Sequence, residues 1–146
     1  MEAYIRPVEL RWSDLDPNFH LRHSAYYDFG AYARINFLEE NGLTTKVMQE
    51  GQFGPIIFRE ECIFRKEIRL GDVVTINVQL SKAKPDFSRW TIGHQFIKNG
   101  DQLAALLTVD GAWINTALRK MGTLPEQYRH AFEQMPKAEN FEWIVK

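Results

Sequence analysis

Ser24-Ala25-Tyr26-Tyr27-Asp28-Phe29-Gly30-Ala31-Tyr32-Ala33-Arg34-Ile35-Asn36-Phe37-Leu38-Glu39-Glu40-Asn41-Gly42 is the longest stretch in which apolar residues return at helical spacing. Tyr27, Ala31, Arg34, Ile35 and Leu38 share one face, and Glu39-Glu40 turn away from it. Ser24 can cap the first turn, and Asn41-Gly42 offers the left-handed exit that helices favour. The spacing predicts a helix over about Ser24 to Asn41. Ala25, Gly30, Ala31 and Ala33 keep its surface small, smooth enough to lie close against a sheet.

On either side the texture is that of strands. Tyr4 to Arg11 reads as a short strand, followed by the loop Ser13 to His20 with Pro17 and Asn18 as turn formers. After Gly54-Pro55, Ile56 to Lys66 alternates imperfectly and stops before the turn Leu70-Gly71-Asp72. Val73 to Lys82 alternates cleanly, with Val74, Ile76, Val78 and Leu80 on one face. Arg89 to Lys98 aligns Trp90, Ile92, His94 and Phe96, and Asn99-Gly100 is a strong hairpin turn. Gln102 to Asn115 is a long apolar strand interrupted at Asp110-Gly111, where a bulge or a close backbone approach is expected. Short connections require antiparallel neighbours, so the class is α+β, one helix laid across an antiparallel sheet. Leu124 to Met135 is expected to add a short amphipathic helix, and the chain to trail off from Asn140 to Lys146. Nothing marks a boundary, so residues 1–146 read as a single domain.

The 146 residues carry a formal net charge of −1, which supplies no field for a phosphate backbone and argues against nucleic-acid binding. The single cysteine, Cys62, excludes an internal disulfide framework and a multi-cysteine zinc site. No apolar run approaches the roughly 20 residues that span a bilayer. The opening Met1-Glu2-Ala3-Tyr4-Ile5-Arg6-Pro7 lacks the order of a signal peptide. A cytoplasmic protein with no membrane partner is expected.

Few chemistries survive inspection. There is no phosphate-cradling glycine loop after a strand and no Gly-x-Ser-x-Gly elbow. Cys62 lies mid-strand beside Ile63 and Phe64 and is expected to be inert. His20 and His23 with Asp14 or Asp16 show no recognised ligand spacing, so no metal is expected. What remains is Trp12-Ser13-Asp14-Leu15-Asp16-Pro17-Asn18-Phe19-His20-Leu21-Arg22-His23-Ser24-Ala25-Tyr26-Tyr27, with two carboxylates and two imidazoles at the mouth of the long helix. A carboxylate there can serve as base or nucleophile, and the first-turn amides can polarise a carbonyl oxygen. His94 on its apolar face is expected to be a satisfied buried histidine. Of the neighbours Glu60 and Glu61, one must face the less watery side.

This strand-loop-helix run resembles the opening of the hotdog-fold acyl-CoA thioesterases of the 4-hydroxybenzoyl-CoA thioesterase-like branch. The resemblance rests on Asp14-Leu15-Asp16, then His20, His23 and Tyr26-Tyr27. It continues through Arg69-Leu70-Gly71-Asp72-Val73, the following strands and Thr123-Leu124-Pro125-Glu126, and so covers nearly the whole chain. It implies a five-stranded antiparallel sheet wrapped around one long central helix. It also implies a homodimer or homotetramer in which sheets join edge to edge, with the active site at the subunit interface. Asp16 takes the position of the catalytic carboxylate, and His23 and His20 the positions of helper histidines. The amides around His23 and Ser24 would hold the oxyanion, with Ser24 and Tyr27 at the helix opening on the substrate. The substrate implied is an acyl-CoA, hydrolysed to acid and free CoA, with no cofactor beyond the coenzyme A of the substrate itself. Its phosphates call for basic residues, for which Arg65, Lys66, Lys82, Lys84 and Arg89 are the candidates. The acyl group would meet apolar side chains such as Phe53, Phe58 and Trp90. Hydrolysis of acyl groups on acyl carrier protein, and thioester binding without chemistry, are the rival readings.

Overall fold

The structure is a computed structural model that describes residues 3–145; Met1, Glu2 and Lys146, the last of the predicted tail, lie outside the described residues. In chain order the regular elements are β1 (Ile5–Val8), α1 (Ala25–Glu40), α2 (Thr45–Gly51), β2 (Phe53–Phe64), β3 (Val74–Asn77), β4 (Gln79–Ala83), β5 (Arg89–Lys98), β6 (Gln102–Asn115), β7 (Lys120–Gly122), α3 (Arg129–Glu133) and β8 (Lys137–Trp143). Single 3-10 turns stand at Trp12–Asp14 and Glu126–Tyr128. None of the described helices is long and apolar enough to cross a membrane.

The sheet runs β2-β6-β5 and then divides, because β3 and β4 lie end to end along β5. The predicted strand Val73 to Lys82 pauses at Val78, whose N–H donates 3.2 Å to the Tyr4 carbonyl. The outer neighbour changes there: β1 pairs with β3, and β8 pairs with β4. Counting β3 and β4 as one, the frame is the expected five-stranded antiparallel sheet, with α1 against its concave face. The tail corrects the expectation. Only Arg129–Glu133 is α-helical, and the chain does not trail away but returns as β8, parallel to β4. Neither β7 nor α2 was anticipated, although Thr44 signals the latter: its hydroxyl caps the helix by accepting from Val47 N–H at 3.1 Å.

Helix α1 buries Ala25, Tyr26, Gly30, Ala33, Arg34, Phe37 and Leu38. The stripe is therefore set one residue earlier than the periodicity suggested: Tyr27 and Ile35 are half-buried and Ala31 is exposed. Close approach to the sheet decides the phase, since a Cβ at Gly30 would run into Leu107 of β6. Ser24 does not cap with its side chain; its Oγ accepts from Arg22 Nη1 at 2.6 Å. The exit is as read, with Gly42 at φ +85. Asn99 and Gly100, at φ 53 and 87, form the expected hairpin turn between β5 and β6.

Strand β2 explains its own imperfect alternation. It follows β6 in register from Phe53 to Ile57, skips Phe58, and resumes at Arg59 opposite Asp110. The extra residue is a bulge facing the Asp110-Gly111 interruption. At Gly111 a Cβ would collide with the Trp90 ring and the Ile56 carbonyl. Because side chains alternate, the bulge flips the phase: Phe53, Pro55 and Ile57 face α1 before it, and Glu60, Cys62 and Phe64 after it. The second edge of β2 pairs with nothing among the described residues, and Ile57, Phe58, Ile63 and Phe64 stand 46–50% exposed along it.

Candidate active site

The loop from Trp12 to Ser24 is stitched from its acidic residues. The Asp14 side chain, 1% exposed, accepts from Arg11 N–H at 3.0 Å, Arg11 Nε at 3.0 Å and Arg11 Nη2 at 2.8 Å. Those bonds hold its carboxyl below the usual range. Asp14 is thereby an anchor: its own carbonyl accepts from Arg22 N–H at 2.8 Å, and Leu15 bridges Leu21 beyond it. The next turn is closed by Asp16 N–H donating 2.8 Å to the His20 carbonyl and by Phe19 in the left-handed region at φ 67.

Asp16 stands at the tip of this construction. Its Oδ1 accepts from Asn18 N–H at 2.9 Å and His20 N–H at 3.1 Å. Its Oδ2 accepts no hydrogen bond among the described residues and lies 3.9 Å from His20 Nδ1. The far ring nitrogen of His20 is 3.0 Å from Glu67 Oε2, placing the imidazole between two carboxylates. A cavity of about 260 Å3 opens here, lined by Asp16, His20, His23 and Tyr26 on one side and by Phe64, Arg65, Lys66 and Glu67 on the other. The backbone N–H groups of His23 and Ser24 donate to no acceptor among the described residues. One wall is thus a carboxylate with a free oxygen, and His23 on the same side leads directly into the open amide end of α1.

The structure gathers Asp16, His20, His23 and Arg65 at one cavity. Ser24 and Tyr27 border the helix mouth without lining it. Tyr26 takes the place expected of Tyr27, its ring edge-on to Phe64 and Phe96 at 5.0 and 5.1 Å. Burial, with help from the nearby Cys62 and Asp16, pushes the Tyr26 phenol up to about 12, so it remains a donor at neutral pH. Gly30, Ala33 and Phe37, followed backward in phase, would have pointed to Tyr26. Glu67 was also missed; its signal is an acid directly after Arg65-Lys66.

Lys82, Lys84 and Arg89 are not at this cavity. Arg89 shares a row with Ala112, whereas Phe64 shares one with Ala105, about 23 Å away along β6 at some 3.3 Å per residue. Arg89 instead covers the Phe58 ring at 5.2 Å. His94 is buried and satisfied as expected. Cys62 has its thiol pushed up to about 11 by burial, which suits an inert role.

A second cavity, of about 160 Å3, lies between the far half of α1 and the sheet. Arg34, Ile35 and Leu38 line it from the helix, and Trp90, Trp113 and Phe132 from the other side. Of the expected acyl contacts it includes Trp90; Phe53 is buried against Trp113 and Tyr128, and Phe58 is exposed.

An antiparallel sheet curled around one helix, with an acidic loop at the helix mouth, defines a hotdog-fold protein. Residues 10–132 match the pattern of the Thioesterase-like superfamily, and the chain belongs to that family. Among solved structures it is similar to a Staphylococcus aureus protein described in complex with CoA, at 19% identity and a TM-score of 0.84 over 99% of this chain and 89% of that one. It is also similar to a 1,4-dihydroxy-2-naphthoyl-CoA thioesterase from Synechocystis (16% identity, TM-score 0.80, 91% of this chain and 97% of that one). A DHNA-CoA thioesterase from Staphylococcus aureus shows the same likeness (16% identity, TM-score 0.80, 92% and 91%). Among curated proteins none matches.

Proposed function

We propose that the chain hydrolyses an acyl-CoA thioester, with Asp16 as the group that acts on the reacting carbon or on its water. The observation that carries this reading is the divided carboxylate of Asp16. One oxygen is pinned by two amides, and the other is free at a cavity that His23 also lines, beside the mouth of α1 where the amides of His23 and Ser24 have no partner among the described residues. With Asp16 as base, it takes a proton from water as the oxygen adds to the thioester carbon. The negative charge that develops on the carbonyl oxygen is accepted by the helix-mouth amides. The carbon–sulfur bond then breaks, and the thiolate leaves with the proton that Asp16 had held. As nucleophile, Asp16 would form a mixed anhydride that water then splits. His20 and His23 assist at the same cavity, and Tyr26 donates from its floor.

Arg65 and Lys66 at the rim suit the phosphates of coenzyme A, and the likeness to a protein described with CoA supports that choice over a carrier-protein substrate. The second copy of the chain completes the site. An isologous pairing of the free β2 edges runs the two strands antiparallel. Residues near Phe64 of one copy then lie across from residues near Ile57 of the other, and Arg89 and its neighbours come toward the rim from the second copy. The apolar edge of β2 and the closeness of Arg59 and Glu61, 3.0 Å apart, favour such self-pairing.

Thiol release from a panel of acyl-CoA esters, from acetyl to palmitoyl and benzoyl, tests the reading. Asp16→Asn keeps an oxygen for the Asn18 and His20 amides but loses the charge. It should lower turnover at least a hundredfold with an unchanged melting temperature. Full activity in that variant, or tight ester binding without thiol release in the wild type, overturns the mechanism.

A further inference from the structure

The second cavity is apolar except for its donors. Arg34, with a side chain 10% exposed, lines it together with Trp90 and Trp113, and the indole N–H groups of both tryptophans are buried without a partner among the described residues. The bonds of Arg34 are few for its position. His94 Nδ1 is 2.7 Å from the Asn77 carbonyl, which fixes it as the protonated nitrogen and leaves Nε2 to accept from Arg34 Nη1 at 3.0 Å. The nearest carboxylate, Glu60, stands 3.8 Å from Nη2, beyond hydrogen-bond reach. The remaining guanidinium N–H groups make no hydrogen bond among the described residues. A buried guanidinium is costly unless an acceptor-rich anion meets it, and its planar fork is matched by a carboxylate. Among the residues that line this cavity the polar groups short of partners all donate, with Glu60 outside the lining as a distant ion-pair partner of Arg34. The complementary ligand is therefore one that only accepts. Apolar cavities of roughly this volume take a group of benzene size, so the ligand is short.

We infer that this cavity receives the far end of the acyl group and that this end carries a second carboxylate, seated on Arg34. The substrate class is then the mono-thioester of a short dicarboxylic acid. This deepens the hydrolase reading and rests on it, including the β2 pairing that sets the cavity of one copy beside the Asp16 site of the other. Ile35, Leu38 and Phe132 enclose the carbon chain, and Arg34 selects its terminus. Arg34 is a specificity residue in this account and touches no reacting atom.

The test compares esters matched in length, glutaryl-CoA with pentanoyl-CoA and adipoyl-CoA with hexanoyl-CoA, by thiol release from the wild type, Arg34→Met and Arg34→Lys. The wild type should favour the carboxylated member at least tenfold in kcat/KM, and Arg34→Met should abolish or invert that preference. Arg34→Lys, which keeps the charge and loses the fork, should fall between. An equal or reversed preference in the wild type, or a preference that survives Arg34→Met, overturns the inference and leaves the hydrolase reading standing. If none of these four esters releases thiol while another ester of the acetyl-to-benzoyl panel does, the inference is overturned and the hydrolase reading stands. If no ester of the panel does, the hydrolase reading fails, and tryptophan fluorescence decides the cavity alone. Glutarate and adipate should then quench Trp90 and Trp113 saturably in the wild type, and pentanoate and hexanoate should not. Equal responses to both kinds of acid overturn the inference.

Discussion

Asp14 and Asp16 are two positions apart and have opposite duties, and their surroundings decide which is which. Asp14 is sealed in and saturated by Arg11; Asp16 keeps one oxygen free. Asp14→Ala should cost about 1–3 kcal/mol, because it removes the carboxylate that ties the loop together, while the exposed Arg11 guanidinium turns to water. Urea unfolding measures that loss, and a shift in the melting temperature absent from Asp16→Asn separates the two residues. The same logic gives Tyr26→Phe a drop in kcat of roughly tenfold at constant fold, since it deletes only a hydroxyl held protonated at the cavity. At this scale the chain was readable where chemistry is clustered in sequence: Asp16, His20 and His23 lie in one short loop. Glu67 escaped because it reaches the cavity from the loop after β2, far from the cluster in sequence. Arg34, though its spacing put it on the packed face of α1, escaped because only the tertiary packing reveals how few partners its guanidinium has.

Among the elements, α1 was legible in extent and misjudged in phase. Its ends are written in local chemistry, Asn41-Gly42 above all, but its buried stripe depends on how near the sheet comes. Gly30→Ala tests that account. Alanine improves helix propensity by about 1 kcal/mol on an exposed helix. Here the added methyl must displace Leu107 in a packed core, and Arg34 Nη1 lies 3.2 Å from it, so a net loss of about 1–3 kcal/mol is expected by denaturant unfolding. The strands β5 and β6 were readable to the residue because tight turns bracket them, with clean alternation in β5 and a long apolar run in β6. β8 was not, since a parallel partner distant in sequence leaves no local mark.

For the molecule as a whole, pairing and acid sensitivity are the two consequences to measure. Ile63→Lys places a charge on the exposed outer face of β2 and should yield a monomer by light scattering, with thiol release falling in step. His94 supplies a pH dependence of known sign. Burial first, and then the charge of Arg34, push it from 6.5 down to about 3, against the opposing bond to Asn77. The unfolded chain therefore takes up the proton first as the pH falls. Stability is complete above pH 6.5 and declines toward pH 3, by about 1.4 kcal/mol for each unit. Between pH 6.5 and 5, where free carboxylates are still ionised, the slope of unfolding free energy should be visible in the wild type and flattened in His94→Asn.

The skipped residue at Phe58 makes β2 tolerant of a loss and intolerant of a gain. A chain shortened by that one position would restore strict alternation across the whole strand with every partner kept, since Phe53, Pro55 and Ile57, then Glu60, Cys62 and Phe64, would still face the helix. One residue added between Glu61 and Cys62 would instead turn Cys62 and Phe64 outward and bring Ile63 onto the helix face. Removing Phe58 should therefore leave the architecture intact, whereas that insertion should loosen it, and limited proteolysis of the two chains would tell them apart.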